Sequence, residues 1–188
     1  MVLALFLAPG LAMAATPSEG VALEVRRGFF TETDVGVFFT LGGDNQYSNA
    51  QTYLQLGVGY DLTENIALGV HFGIGANAQN CWSGPGPRGD DCLMGSNFTM
   101  AFLDVTAAYL FPVVDRFYIA PKIAAGYTLL DPEPVAGFTG GANIGGGIGF
   151  EYATHMDHFT IGADALVRYV VGPNIPAISI FPRVKYTF

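Results

Sequence analysis

In segment after segment of this chain, large apolar residues stand at every second position, and small, polar or charged residues fill the gaps. Side chains alternate across a β-strand with period 2, so each segment reads as a strand with two unlike faces. The cleanest pair is Thr52, Leu54, Leu56, Val58 and Tyr60, then Ile66, Leu68, Val70, Phe72 and Ile74. Behind them lie Gln51, Tyr53, Gln55, Gly57, Gly59 and Asp61, then Ala67, Gly69, His71, Gly73 and Gly75. Counting from residue 31, the pattern occurs eight times. It is expected over 31–41, 51–61, 66–75, 97–111, 117–129, 142–152, 159–171 and 178–188.

Charge separates the faces further. Asp34, Asp104, Lys122, Glu151, Asp164, Arg168, Arg183 and Lys185 all fall on the face opposite the large apolar residues. A soluble eight-stranded barrel turns its apolar face inward and its polar face to water. Three features argue for the reverse here. The strand ends are aromatic, the N-terminus looks exported, and the last strand closes on Val184, Tyr186 and Phe188 sharing one face. The composition agrees, with 51% hydrophobic and 13% charged residues. The mean hydropathy is +0.37, yet no run reaches the ~18 apolar residues a helical span needs. The expected fold is therefore all-β, an eight-stranded antiparallel transmembrane β-barrel over residues 31–188 in the bacterial outer membrane. A strand of ~10 residues, rising ~3.4 Å each at a ~40° tilt, covers about 26 Å, the height of the apolar band of such barrels.

Residues 1–14 read as a signal peptide, with Val2–Leu7 as its apolar stretch and Ala12-Met13-Ala14 as the cleavage site. No Lys or Arg precedes the apolar stretch, so the basic n-region is expected upstream of Met1. Residues 15–30 form either a periplasmic lead or an early start to the first strand, since Val21, Leu23 and Val25 also alternate. An even strand count puts both termini on one side. Short turns after the second, fourth and sixth strands then mark the periplasmic end. Pro121 removes a ladder hydrogen bond from the fifth strand and predicts a bulge there.

The net charge of −8 excludes a nucleic-acid binder of the usual basic kind. Eight strands leave an interior that side chains fill. The inward acids and bases, nearly equal in number, read as a salt-bridged lumen, with Arg183 and Lys185 as partners for acids such as Asp34. No catalytic set is apparent: His71 faces the lumen without a serine beside it, and His155 and His158 fall in a turn. Cys81 and Cys92 share one polar stretch, and in an oxidising compartment a disulfide between them contributes about 3 kcal/mol. Zinc would need about four ligands that this loop does not offer. The same stretch, 77–97, is the candidate extracellular recognition loop, through Trp82, Arg88, Asp90 and Asp91. Asp90 and Asp91 alone fall short of the 6–8 oxygens calcium takes. No cofactor and no metal are expected.

The architecture over residues 31–188 resembles the small outer-membrane barrels typified by OmpX and OmpW, and Tyr186 and Phe188 resemble their C-terminal assembly signal. That resemblance implies recognition by the barrel-assembly machinery. A narrower one rests on Arg27-Gly28-Phe29-Phe30-Thr31-Glu32-Thr33-Asp34, Tyr47-Ser48-Asn49-Ala50-Gln51-Thr52-Tyr53, Glu151-Tyr152-Ala153-Thr154-His155 and Gly172-Pro173-Asn174-Ile175-Pro176-Ala177. These segments are similar to the CglE family of adventurous gliding-motility outer-membrane proteins of myxobacteria. The resemblance implies a non-enzymatic structural or interaction component with cell-envelope or motility partners. The rival expectations are a narrow OmpW-like channel for small or hydrophobic solutes and a lipid-modifying enzyme.

Overall fold

A computed structural model describes residues 28–40, 51–77, 99–131, 139–156, 158–172 and 174–188. They form β1 (Phe29–Thr40), β2 (Gln51–Asp61), β3 (Ile66–Asn77), β4 (Thr99–Tyr109), β5 (Phe111–Val114), β6 (Phe117–Asp131), β7 (Gly140–Ala153), β8 (Phe159–Val170) and β9 (Ile175–Thr187). Every neighbouring pair is antiparallel, β1 pairs with β9, and β4 and β5 both pair with β6. β4 and β5 are thus one stave interrupted at Leu110, and the nine segments close into a barrel of eight staves. Closure leaves no open sheet edge in the hydrocarbon, where an unpaired backbone group is costly.

The break at Leu110 has a cause on the facing strand. Ala108 pairs with Lys122 and Phe111 with Ile119, so the register runs through unchanged. The missing rungs are those opposite Ala120 and Pro121, and a proline has no N–H to give. The bulge expected at Pro121 is therefore not there. Pro121 opens a gap in the ladder, and the register shift falls between Pro112 and Val114. Pro182 does the same on β9: pairing with β1 skips from Asp34–Arg183 to Val37–Ile180 without a slip. Both prolines are exposed on the outer wall.

Local chemistry sets the turns. Thr63 Oγ1 accepts from the N–H of Asn65 (3.2 Å) and of Ile66 (3.0 Å), closing the β2–β3 turn. Asn65 then ties to the broken stave, its Nδ2 donating to Leu110 O at 2.8 Å. Arg116 between β5 and β6, and His158 before β8, adopt φ of 63° and 73°. These turns, Gly28 and Phe188 share one end, the turn end. The β8–β9 turn lies at the other, with Gly172 at φ 99° and Asn174 at φ 57°. Gly28 also belongs to the barrel rim, since its carbonyl accepts from Asp61 N at 3.0 Å. Phe29 and Phe30 already belong to β1 rather than to a lead.

Outside, the wall is apolar on every stave. Val35, Leu56, Val58, Phe72, Leu103, Val105, Ile123, Leu129, Ile144, Val167, Ile180 and Val184 are all exposed. Aromatic residues gather toward the turn end, in contacts such as Phe29–Tyr60 (5.1 Å), Tyr109–Phe111 (4.4 Å), Phe159–Tyr186 (5.0 Å) and Tyr186–Phe188 (5.0 Å). A wide apolar belt bounded by aromatics is stable against lipid and not against water.

Candidate functional site

The inward positions fill the lumen in layers. Nearest the β8–β9 turn, Phe38, Tyr53, Met100, Phe102, Leu130, Val170, Ile175, Ala177 and Phe181 form one buried apolar cluster. Tyr53 lies 5.4 Å from Phe181 and 5.9 Å from Phe38, and Phe38 meets Phe102 edge-on at 5.3 Å. Gly73 on β3 makes room for this packing, because a Cβ there would collide with the Tyr53 ring.

Below that cap sits Arg168 of β8, 2% exposed. Its Nε donates to Asp104 Oδ2 (3.0 Å), Nη1 to Ser179 Oγ (2.8 Å), and Nη2 to Tyr53 OH (3.1 Å) and Gln55 Oε1 (3.2 Å). The guanidinium carbon also lies 5.1 Å from the Phe102 ring centre. Asn143 Nδ2 donates to the other Asp104 oxygen (2.9 Å) and to Thr128 Oγ1 (3.0 Å). Planar, weakly hydrated and rich in donors, an arginine suits a buried hub better than a lysine would.

Toward the turn end a second hub forms on β9. Arg183 Nη2 donates to Glu151 Oε1 at 2.6 Å, and its Nη1 lies 3.1 Å from Asp164 and 3.7 Å from Glu32. Lys122 Nζ donates to Asp164 at 3.0 Å, and Lys185 Nζ to Asp61 at 2.8 Å. Lys185 also sits 4.1 Å over the Phe30 ring, in a smaller apolar cluster of Phe30, Ala67, Leu110 and Ala120.

The pairing differs from the expectation that Asp34 partners Arg183 or Lys185. Asp34 and Arg183 are cross-strand neighbours, but the guanidinium turns to Glu151 and Asp164. Asp34 Oδ2 instead accepts from Gln55 Nε2 at 2.6 Å, and its Oδ1 has no hydrogen-bond partner. The lumen is also more acidic than the near-equal count suggested. Glu32, Asp34, Asp61, Asp104, Glu151 and Asp164 are buried against Lys122, Arg168, Arg183 and Lys185. Among the described residues, Asp34 is the buried carboxylate with no cation within 4.0 Å. A buried group without a charge partner is expensive to keep ionised, so its neutral isostere is expected to be harmless. D34N is expected to shift urea-unfolding stability in micelles by less than about 0.5 kcal/mol or to raise it. A loss above about 2 kcal/mol would mean that Asp34 is held in an ion pair.

Among the described residues, Glu32, His71 and Thr106 stand in the order of a catalytic triad. His71 Nε2 hydrogen-bonds Glu32 Oε1, and His71 Nδ1 lies 3.2 Å from Thr106 Oγ1. Gly57 makes this packing feasible, since a Cβ there would strike both His71 and Glu32. The cavity beside the three residues, lined also by Lys122, Glu151 and Arg183, measures about 20 Å³. That volume holds one water and no ester or amide substrate. A second cavity of about 20 Å³ lies beside Asp61, Lys185 and Thr187. The order of groups alone therefore supplies no reaction here. G57V is expected to destabilise the barrel by about 1–3 kcal/mol through overpacking, read as a lower urea midpoint.

Among the remaining sequence-derived candidates, Tyr186 and Phe188 lie on the outer wall at the turn end, and Phe188 N donates to Phe29 O at 2.8 Å. His155 and His158 are exposed in the β7–β8 turn. Cys81, Cys92, Trp82, Arg88, Asp90 and Asp91, like residues 1–27, lie outside the described residues.

No protein-family model matches the chain, nor does any curated protein. Solved structures do. Neisserial surface protein A is 15% identical, with the alignment covering 86% of this chain and 97% of that one at a TM-score of 0.60. Ail, the attachment invasion locus protein of Yersinia pestis, is 10% identical over 86% of this chain and 99% of its own, with a TM-score of 0.55. The N-terminal β-barrel domain of Pseudomonas aeruginosa OprF is 12% identical over 86% and 100%, with a TM-score of 0.53. The fold is that of the small outer-membrane barrels. With so little identity, the likeness extends to the fold alone. Joined to the apolar belt, which needs lipid around it, it sets the chain in a bacterial outer membrane.

Proposed function

We propose that this chain is a structural and interaction component of the outer membrane: a rigid, sealed barrel that presents its connecting segments to other envelope proteins. The observation that carries this reading is the filled lumen. An apolar cap closes one end, two arginine-centred networks fill the middle, and the spaces beside the ion pairs are water-sized. A barrel filled in this way is a scaffold, and binding falls to loops on it. In this reading the charge network of Asp104, Lys122, Glu151, Asp164, Arg168, Arg183 and Lys185, joined by Glu32, Asp61 and His71, locks the staves in register, while Asp34 is tied in through Gln55 alone.

The turn end is taken as periplasmic, because short turns lie on that side in such barrels. Tyr186 and Phe188 then serve as the signal to the barrel-assembly machinery during insertion. On that assignment the recognition loop expected at 77–97 is extracellular, and a Cys81–Cys92 disulfide would stiffen its display of Trp82, Arg88, Asp90 and Asp91. The resemblance to the CglE family supplies the process, gliding motility, with other envelope or motility proteins as partners. The filled lumen disfavours the solute-channel reading, and the cramped setting of His71 disfavours the enzyme reading.

The test is deletion of the gene followed by tracking of isolated cells on a firm surface. The expected result is a loss of single-cell gliding that the wild-type gene restores. Unchanged gliding would overturn the motility link and leave the barrel standing.

A further inference from the structure

The outer wall is not uniformly convex. Between β3, β4, β6 and β7 it carries a depression of about 350 Å³. Pairing explains it. Ala107 lies between Leu68 and Ile123, and Ala125 between Val105 and Ile144. Two alanines on the outer face of adjacent staves therefore lower the wall, and four larger neighbours stand up around them. Thr106, Ala124 and Gly145, whose positions alternate toward the lumen, complete the floor. The Thr106 hydroxyl is engaged inward with His71, so it offers the groove no polar group.

We propose that this groove is a binding site for one acyl chain of a glycerophospholipid, held there longer than the lipid around it. The groove is continuous with the exposed apolar belt at Leu68, Val105, Ile123 and Ile144, so what lies against it is hydrocarbon. Its volume falls within the roughly 300–1,000 Å³ of small-ligand pockets. Its footprint of nine residues is well short of the roughly 20–30 per side that a stable protein interface uses, which favours a chain over a second copy. No basic side chain lines it, so it offers no partner to a lipid phosphate and takes the hydrocarbon part of the lipid. Small residues that expose backbone allow the close approach on which packing in lipid depends.

Native mass spectrometry of the full barrel tests this. The protein is reconstituted with an equimolar mixture of phosphatidylethanolamine, phosphatidylglycerol and lipid A, then released in mild detergent. Three variants are compared with the wild type: A125F and A107F fill the groove, and A163F adds the same bulk to the outer wall on β8. Having two filling variants guards against one failing to fold. The wild type and A163F are expected to carry one phospholipid, with occupancy about tenfold lower in A125F and A107F. Equal retention by all four proteins would overturn the site. So would retention of lipid A in place of phospholipid, or a dimer present in the wild type and absent in A125F.

Discussion

R168A is expected to destabilise the barrel by about 3–5 kcal/mol, among the largest effects of any single side-chain truncation in the lumen. Arg168 is 2% exposed and holds Asp104, Ser179, Tyr53 and Gln55 at once, each through its guanidinium. Truncation removes those bonds and strands the Asp104 carboxylate, whose charge then has no counter-ion in a dry interior. It also leaves a void under the aromatic cap, since the guanidinium packs 5.1 Å from Phe102 and 5.6 Å from Tyr53. The measurement is urea unfolding in micelles followed by circular dichroism. Pairing Arg168→Met with Asp104→Asn separates the stranded charge from lost packing. The double variant is expected to recover more than half of the loss. No recovery would show that the carboxylate is not what the arginine compensates.

The second large effect is expected at Arg183. Its guanidinium lies within 4.0 Å of Glu151, Asp164 and Glu32, from three different staves. R183A leaves Asp164 to Lys122 and Glu32 to His71, with Glu151 bereft of its 2.6 Å partner. A loss of about 3–5 kcal/mol is expected, with R183K recovering a minor share because one ammonium cannot reach three carboxylates at these angles. Since β9 is the closing stave against β1, part of the effect should show as slower folding into vesicles. Unchanged stability in R183A would mean the three acids are screened by water in place of the arginine.

The barrel was legible because period 2 is a local property. Leu54, Leu56 and Val58, for example, declare their face without any knowledge of the partner strand. Closure was legible from an even strand count and an unbroken apolar outer face. Partner choice was not. Asp34 and Arg183 are register neighbours, and a lumen guanidinium still reaches past its neighbour to acids on β7 and β8. Which acid it reaches depends on the barrel's shear and on inward glycines such as Gly57, and neither is written in a single strand. Glu32 and Asp61 sat on the correct face in the alternation. Each lies near a strand end, where alternation gives the face and burial depends on neighbours such as Phe30. Pro121 shows the same limit: the missing donor was legible, while the choice between bulge and gap belonged to the pairing with β4.

The central claim is a sealed lumen, and conductance tests it most directly. Purified barrel inserted into planar lipid bilayers and held across a range of voltages is expected to give no steady unitary openings. R168A and R183A, where they still insert, should introduce flickering leaks. Stable, uniform current steps from the wild-type protein would contradict the account, because steady conduction needs a continuous water path past the Arg168 and Arg183 networks.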